Sequence, residues 1–335
     1  MDTFQFRIAE SPHDTEPFVE RKRGASWAVV LAGGDGTRLR PLTRRITGDE
    51  RPKQFCPILG RETLLEMTLR RISLAVPADR TVVVLTEIHE SFYNSILKDA
   101  PPCRPLIQPN NRGTAPAILY NLLRVASLDP KSSVAIFPLD HYISDDEAFM
   151  YCVEAAFEAI RVMPASVILL GINPDGPEIE YGSIEPAESV FVPASGTLFR
   201  VRRFWEKPLP GLAERLFSKG CFWNSFVMVG RVQTLLSLID KNIPHLYHPF
   251  RRLIPAFNTP RETQFIRELY NQLLPSNFSQ EVLARCPSNL LVYPVTGIDW
   301  CDWGEPSRVL SSLARIGIQP KWATAPRAAA AQPSA

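Results

Sequence analysis

Between residues 27 and 171, short runs of β-branched and aliphatic residues alternate with stretches whose apolar side chains recur three and four positions apart. That alternation leaves few folds open. Strands apolar at every position need cover on both faces, and the intervening helices supply it as βαβ units. WAVVLAGG (27–34), TVVVLT (81–86), VAIFPLD (134–140) and SVILLG (166–171) read as strands. Thr63 with Glu66 three residues on is a capping box, and Leu65, Leu69, Ile72 and Val76 share one face of the helix it opens. Pro116 suits the first turn of a helix running to about Ser127. Ser144 and Glu147 repeat the box ahead of Phe149, Val153, Ala156 and Ile160. The expected fold class is α/β, a Rossmann-like, mostly parallel sheet flanked by helices.

Past residue 171 the pattern loosens. YGSIEP, LFRVRRFWEKP and FWNSFVMVG suggest more exposed strands, helical spacing returns at about 231–242 and 261–274, and LLVYPVTG leads into IDWCDWG. This half is expected to form a lid or substrate-binding layer on the sheet rather than a separate fold. Residues 1–26 are polar and end in the charged run ERKRG, so they read as a flexible leader. From 317 to 335 the chain becomes rich in alanine and proline and reads as a disordered tail. The body, 27–316, is then one domain.

The balance of 37 basic against 35 acidic side chains gives a net charge of +2, too close to neutral for an electrostatic nucleic-acid binder. No stretch approaches the ~18 apolar residues of a membrane-spanning helix, and the amino terminus is charged where a signal peptide would be apolar. The six cysteines show no CxxC spacing and share no region with a histidine cluster, which argues against structural zinc and for reduced thiols in a soluble, cytoplasmic protein.

VVLAGGDGTRLRPL (29–42) carries the most chemistry. A strand delivers the chain into Gly33, Gly34 and Gly36, with Thr37 and Arg38 directly after. Backbone without side chains can approach a phosphate closely, successive N–H groups form an anion-binding concavity, and Arg38 adds fixed charge. The Walker pattern is excluded because Gly-Lys-Ser/Thr is absent; the dinucleotide pattern fails because Leu39 stands where its third glycine belongs. Lys53, in PKQF (52–55), follows soon enough to fold back over the same phosphates.

LAGGDGTRLRPL followed by PKQF resembles the opening of the sugar-nucleotide pyrophosphorylases, and PKQF resembles their mannose-1-phosphate guanylyltransferase branch in particular. QPNNRGTAPAI (108–118), FPLDHYI (137–143), EYGSIEP (180–186), FWEKP (204–208), WNSF (223–226) and WCDWG (300–304) follow in that family's order, so the resemblance covers about residues 27–310. It implies the nucleotide-diphospho-sugar transferase fold, with 27–171 mainly nucleotide-binding and 172–316 mainly sugar-binding and lid. It also implies an enzyme that joins a nucleoside triphosphate to a sugar 1-phosphate, GTP and mannose 1-phosphate first, giving GDP-mannose and releasing pyrophosphate. The partners are then small-molecule substrates, with a homodimer left open.

Asp140 ends the strand VAIFPLD, at the edge where open parallel sheets collect ligands; a lone aspartate there is more often a turn or capping residue, and Asp302 has the same alternative. The resemblance implies that Asp140 and Asp302 jointly hold Mg²⁺ and form the catalytic set with Arg38 and Lys53. It places Leu31, Ala32, Gly33, Gly34, Gly36, Thr37, Gln108, Arg112, Thr114 and Ala115 around the nucleotide. Tyr181, Gly182, Glu206, Lys207 and Asn224 fall on the sugar phosphate. Five positions depart from the family's habit: Gln108 replaces Glu, Gly113 replaces Asn, Leu139 replaces Ser, Phe226 replaces a small residue and Asn277 replaces Asp. Two other readings stay open: a non-catalytic sugar-nucleotide-binding regulatory protein on the same scaffold, and the same chemistry with another base or another hexose or heptose 1-phosphate.

Overall fold

The apolar runs become the strands of one sheet in a computed structural model of the chain, which describes residues 26–324. The expected leader and most of the expected tail lie outside the described residues. The strands are β1 (Ser26–Leu31), β2 (Thr81–Thr86), β3 (Arg104–Gln108), β4 (Ser133–Pro138), β5 (His141–Ile143), β6 (Val167–Ile172), β7 (Ser183–Val192), β8 (Gly196–Trp205), β9 (Phe222–Arg231), β10 (Leu290–Val295) and β11 (Trp300–Asp302). Nine of them form one sheet in the order β3-β2-β1-β4-β9-β6-β10-β8-β7; β5 and β11 make a separate antiparallel pair. β3, β2, β1 and β4 are mutually parallel, as are β6 and β10. Within this sheet, β8 and β9 run against the other strands.

Apolar side chains on both faces of the central strands are buried, as the uninterrupted hydrophobic runs require. One face packs under the helices Leu64–Ser73 and Asp146–Val162, the other under Thr114–Leu128, Val232–Asn242 and Pro244–Arg251. Leu65, Leu69, Ile72, Val76, Phe149, Val153, Ala156 and Ile160 all lie in the first layer, as their helical spacing predicts. The Thr63 capping box forms: its hydroxyl accepts from the Glu66 N–H, and the Glu66 carboxylate accepts from the Thr63 N–H at 2.7 Å. Thr63→Ala is expected to cost about 1 kcal/mol, read as a lowered denaturation midpoint at unchanged slope.

Three expectations need correcting. The helix Asp146–Val162 is capped by Asp145, whose carboxylate accepts from Ala148 N–H at 2.9 Å; Ser144 Oγ instead accepts from Asp299 N–H, tying β5 to the approach of β11. The segment after 171 is not a layer laid on the sheet. β9 enters its middle, between β4 and β6, and β10, β8 and β7 extend it, because their apolar residues complete the same two core layers. Third, the start of the expected tail docks on the body: Trp322 Nε1 donates to Ile58 O at 2.9 Å and Arg45 to Ala323 O at 3.1 Å.

Candidate active site

The carboxyl ends of β1, β2, β3 and β4 open into one cavity of about 430 Å³. Leu31, Ala32, Gly33, Gly34, Gly36, Thr37 and Arg38 line it from the glycine loop and the strand before it; Gln108 lines it from the end of β3, Gly113 and Thr114 from the segment that follows, and Lys53, Asp140, Phe226 and Gly304 from elsewhere in the chain.

Side chains from other elements hold the loop's carbonyls. Gln54 Nε2 donates to Ala32 O (3.0 Å) and Gly34 O (2.7 Å), and Thr86 Oγ1 donates to Gly33 O (2.7 Å). Because peptides are trans, the N–H groups that follow these carbonyls point the other way. Gly33 must lack a side chain: a methyl there would lie 2.4 Å from Gln108 Nε2 and 2.9 Å from Thr86 Oγ1. Gln54 was not among the expected site residues, although PKQF contains it.

Lys53 and Asp140 form an ion pair in the cavity wall, and Lys53 Nζ also reaches Trp303 O at 3.4 Å. Burial pushes the Asp140 carboxyl up, but the Lys53 ammonium beside it prevails and holds it at about 2, so it is ionised. The β5–β11 pair then brings in the second aspartate. Asp302 is in register with His141, and Trp303 N–H donates to Asp140 O at 2.7 Å. Burial pulls His141 down to about 4 despite both carboxylates, leaving a neutral ring packed edge-on to Trp300. Asp302 Oδ1 accepts from Tyr181 OH at 3.0 Å and Arg308 NH1 at 2.5 Å. Gly304 N–H also reaches Asp302 Oδ1 at 3.5 Å, and a methyl group on Gly304 would lie 3.1 Å from Oδ2 and 3.3 Å from Arg38 NH2. Arg38 itself is half-exposed and pairs with Glu305 (3.2 Å) and Glu180 (3.5 Å).

Two hard carboxylates on hydrogen-bonded neighbouring segments would suit a magnesium ion better than zinc. Among the described residues no cluster of three or more His, Cys, Asp or Glu side chains is placed to hold a metal, so phosphate oxygens and water would have to complete the shell. That is the usual arrangement for Mg²⁺ on nucleotides.

Two expected nucleotide residues do not line the cavity. Arg112 Nε donates to Tyr270 O at 3.1 Å, and Ala115 is fully buried with its N–H on Ser276 O; both pin residues 270–276 to the head of the helix Thr114–Leu128. Thr114 does line it, while its Oγ1 accepts from Phe278 N–H at 2.9 Å.

The sugar-side residues form a neighbouring group. Space beside Gly182 is bounded by Asn224 Cβ and Glu206 Oε2, each 3.3 Å from where a methyl would sit, and Asn224 N–H donates to Gly182 O at 2.7 Å. Tyr181 links this group to Asp302. Glu206 and Lys207 line a second cavity of about 570 Å³, with Arg203, Trp205 and Asn277 among its walls, so the five residues do not share the nucleotide cavity in this structure. Burial raises the Glu206 carboxyl, and Lys207 Nζ pairs with Glu180 at 3.2 Å. Arg308, absent from the expected set, stacks 4.4 Å over Tyr181 and salt-bridges Glu178 at 3.1 Å. Its only sequence signal is its place in the helix Pro306–Arg315 just after WCDWG.

A glycine-lined cavity at the carboxyl edge of a largely parallel sheet is where open α/β proteins bind their ligands. The nucleotidyl transferase family matches over residues 27–315, and the chain belongs to that family. The alginate biosynthesis protein AlgA of Pseudomonas fluorescens is 31% identical over 279 residues, 82% of this chain and 56% of the relative. The mannose-1-phosphate guanylyltransferase of Escherichia coli K12 is 28% identical over 274 residues, 80% of this chain and 53% of the relative. The chain thus spans about half the length of the curated relatives it matches. Among solved structures, the mannose-1-phosphate geranyltransferase of Thermus thermophilus superposes with a TM-score of 0.75 at 29% identity, covering 88% of this chain and 80% of that one. No helix among the described residues is long and apolar enough to cross a membrane.

Proposed function

We propose that the protein transfers a guanylyl group from GTP to mannose 1-phosphate, giving GDP-mannose and pyrophosphate. The observation that carries this reading is the Lys53–Asp140 ion pair in the wall of the glycine-lined cavity, beside which the β5–β11 pairing and the Trp303 N–H to Asp140 O bond bring the segment that carries Asp302. The kinship with mannose-1-phosphate guanylyltransferase supports the choice of base and sugar.

In this reaction a phosphate oxygen of the sugar 1-phosphate attacks the α-phosphorus, the bond from α-phosphorus to the bridging oxygen of the β-phosphate breaks, and pyrophosphate carries the electron pair away. The chain needs no covalent intermediate. Its work is to bring two anions together and to meet the charge that builds on the α-phosphoryl oxygens. Lys53 would bind those oxygens from the Asp140 wall. Arg38, released from Glu180 and Glu305 by a stronger anion, would hold the departing pyrophosphate. The glycine-loop N–H groups would bind the remaining phosphate oxygens. Asp140 and Asp302 would hold Mg²⁺, which when bound neutralises phosphoryl oxygens. Tyr181 and Arg308 hold Asp302 in place by occupying its other oxygen. All six cysteines are free thiols, which fits a reducing compartment such as the cytoplasm.

The test is pyrophosphate release with Mg²⁺ across a panel of GTP, ATP, UTP, CTP and dTTP against mannose, glucose and heptose 1-phosphates. Turnover is expected, and GTP with mannose 1-phosphate should give the highest kcat/KM. Folded protein that turns over no pair contradicts the proposal.

A further inference from the structure

Four buried groups link the helix Glu262–Gln272 to the glycine loop by hydrogen bonds whose direction can be deduced. Tyr270 OH meets Gln108 Oε1 at 3.3 Å, Gln108 Nε2 meets Thr86 Oγ1 at 3.0 Å, and Thr86 Oγ1 meets Gly33 O at 2.7 Å. Tyr270 is fully buried, and Gln108 and Thr86 are each 1% exposed, so water does not compete for these bonds. The Gly33 carbonyl can only accept. Thr86 has a single hydroxyl hydrogen, which it gives to that carbonyl, so it must accept from Gln108. The amide therefore turns its NH₂ toward Thr86 and its oxygen toward Tyr270, and the tyrosine hydroxyl must donate. The chain runs one way, and no flip of the Gln108 amide satisfies it.

Gln108 also lines the cavity, as do Val84 and Ala117. It ends β3, whereas Asp140 follows β4, and β2 and β1 lie between them. Three inter-strand steps of ~4.8 Å separate the two by about 14 Å, roughly the reach from a nucleobase to its phosphates. After the chain is satisfied, Gln108 retains one N–H and one carbonyl lone pair, in a fixed order.

We infer that this one-way chain makes Gln108 read the purine as a lactam, an N–H beside a C=O. Tyr270 and Thr86 are positioning residues that fix which end of the amide donates. This deepens the guanylyl-transfer reading and rests on it. Guanine and hypoxanthine present the same pair to such an amide, O6 to accept and N1–H to donate, so the exocyclic amine of guanine goes unread by Gln108. Adenine in the same orientation presents the reverse order and opposes donor to donor.

Calorimetry on the whole chain with GTP, ITP and ATP, each with Mg²⁺, tests this without requiring turnover. GTP and ITP are expected to bind within about fivefold of each other, and ATP more than about fivefold more weakly. Thr86→Val removes the hydrogen that fixes the amide, so the ITP-to-ATP discrimination should fall below about fivefold. A change in that ratio is something a purely structural defect would not produce. Gln108→Glu supplies two acceptors in place of one of each, so GTP should then bind more than about fivefold tighter than ITP. This second variant decides the matter should Thr86→Val not fold. A native protein that prefers GTP over ITP by more than about fivefold, or that takes ATP as well as ITP, overturns the inference while leaving guanylyl transfer standing. Failure to bind any of the three overturns both.

Discussion

Asp140→Asn and Asp302→Asn are each expected to lower kcat on the order of 10³-fold under saturating GTP and mannose 1-phosphate, with the fold retained. Asparagine keeps the shape and one acceptor oxygen of aspartate and removes only the charge. At position 302 the retained oxygen can still accept from Tyr181 OH and Arg308, and Arg308 keeps its second partner Glu178. At position 140 the amide oxygen can still take a hydrogen bond from Lys53, and the backbone bond from Trp303 is untouched. What disappears in both cases is a full negative charge on one of the two neighbouring segments. Steady-state kinetics with a thermal melt on each variant checks this. Asp299→Asn serves as the control: its exposed carboxylate lies three residues from Asp302, while its backbone does the structural work on Ser144, and kcat should stay within about twofold.

Gly113→Ala is expected to destabilise the protein by about 3 kcal/mol or more, lowering the melting temperature on the order of 6–10 °C. Gly113 has φ +87° and ψ −177°, a conformation open essentially to glycine alone. A methyl group there would also lie 2.3 Å from the carbonyl oxygen of Ser276. That oxygen cannot yield cheaply, because it accepts from Ala115 N–H, while Ser276 N–H donates to Arg112 O. Together these bonds dock residues 270–276 on the head of the helix that carries Thr114. Nucleotide affinity should fall with stability in this variant, since Gly113 and Thr114 both line the cavity. A melt within 2 °C of the parent, compared by scanning calorimetry, would show that the backbone relaxes here at little cost.

The strands flanking the glycine loop were legible because their signal is local. Val29, Val30, Val82, Val83 and Ile136 are apolar in an unbroken run, and burial on both faces follows from that alone. Asp140 was legible for the same reason, as the residue just past such a strand. Asp302 was not: β11 spans three residues and owes its place to pairing with β5, some 160 positions earlier, so only the family resemblance could name it. The insertion of β9 between β4 and β6 was hidden likewise, because strand order is a non-local choice among apolar strands of similar pattern. Arg112 differs: the resemblance implied a place at the nucleotide, and its Nε donates to the Tyr270 carbonyl, a packing role that no local sequence pattern signals. Ser144 lost its capping role to the next residue because its hydroxyl was taken by Asp299 N–H across the β5–β11 pair. Gly113 looked like a mere departure from the family pattern, and its reason appears only in its backbone angles and the nearness of Ser276.

Diffraction from crystals grown with Mn²⁺ and a non-hydrolysable GTP analogue, recorded at the manganese edge, addresses the central claim directly. A single anomalous peak bonded to one oxygen each of Asp140 and Asp302 and to the nucleotide's phosphates is the predicted result. Manganese bound elsewhere, or to only one of these carboxylates, would contradict the account.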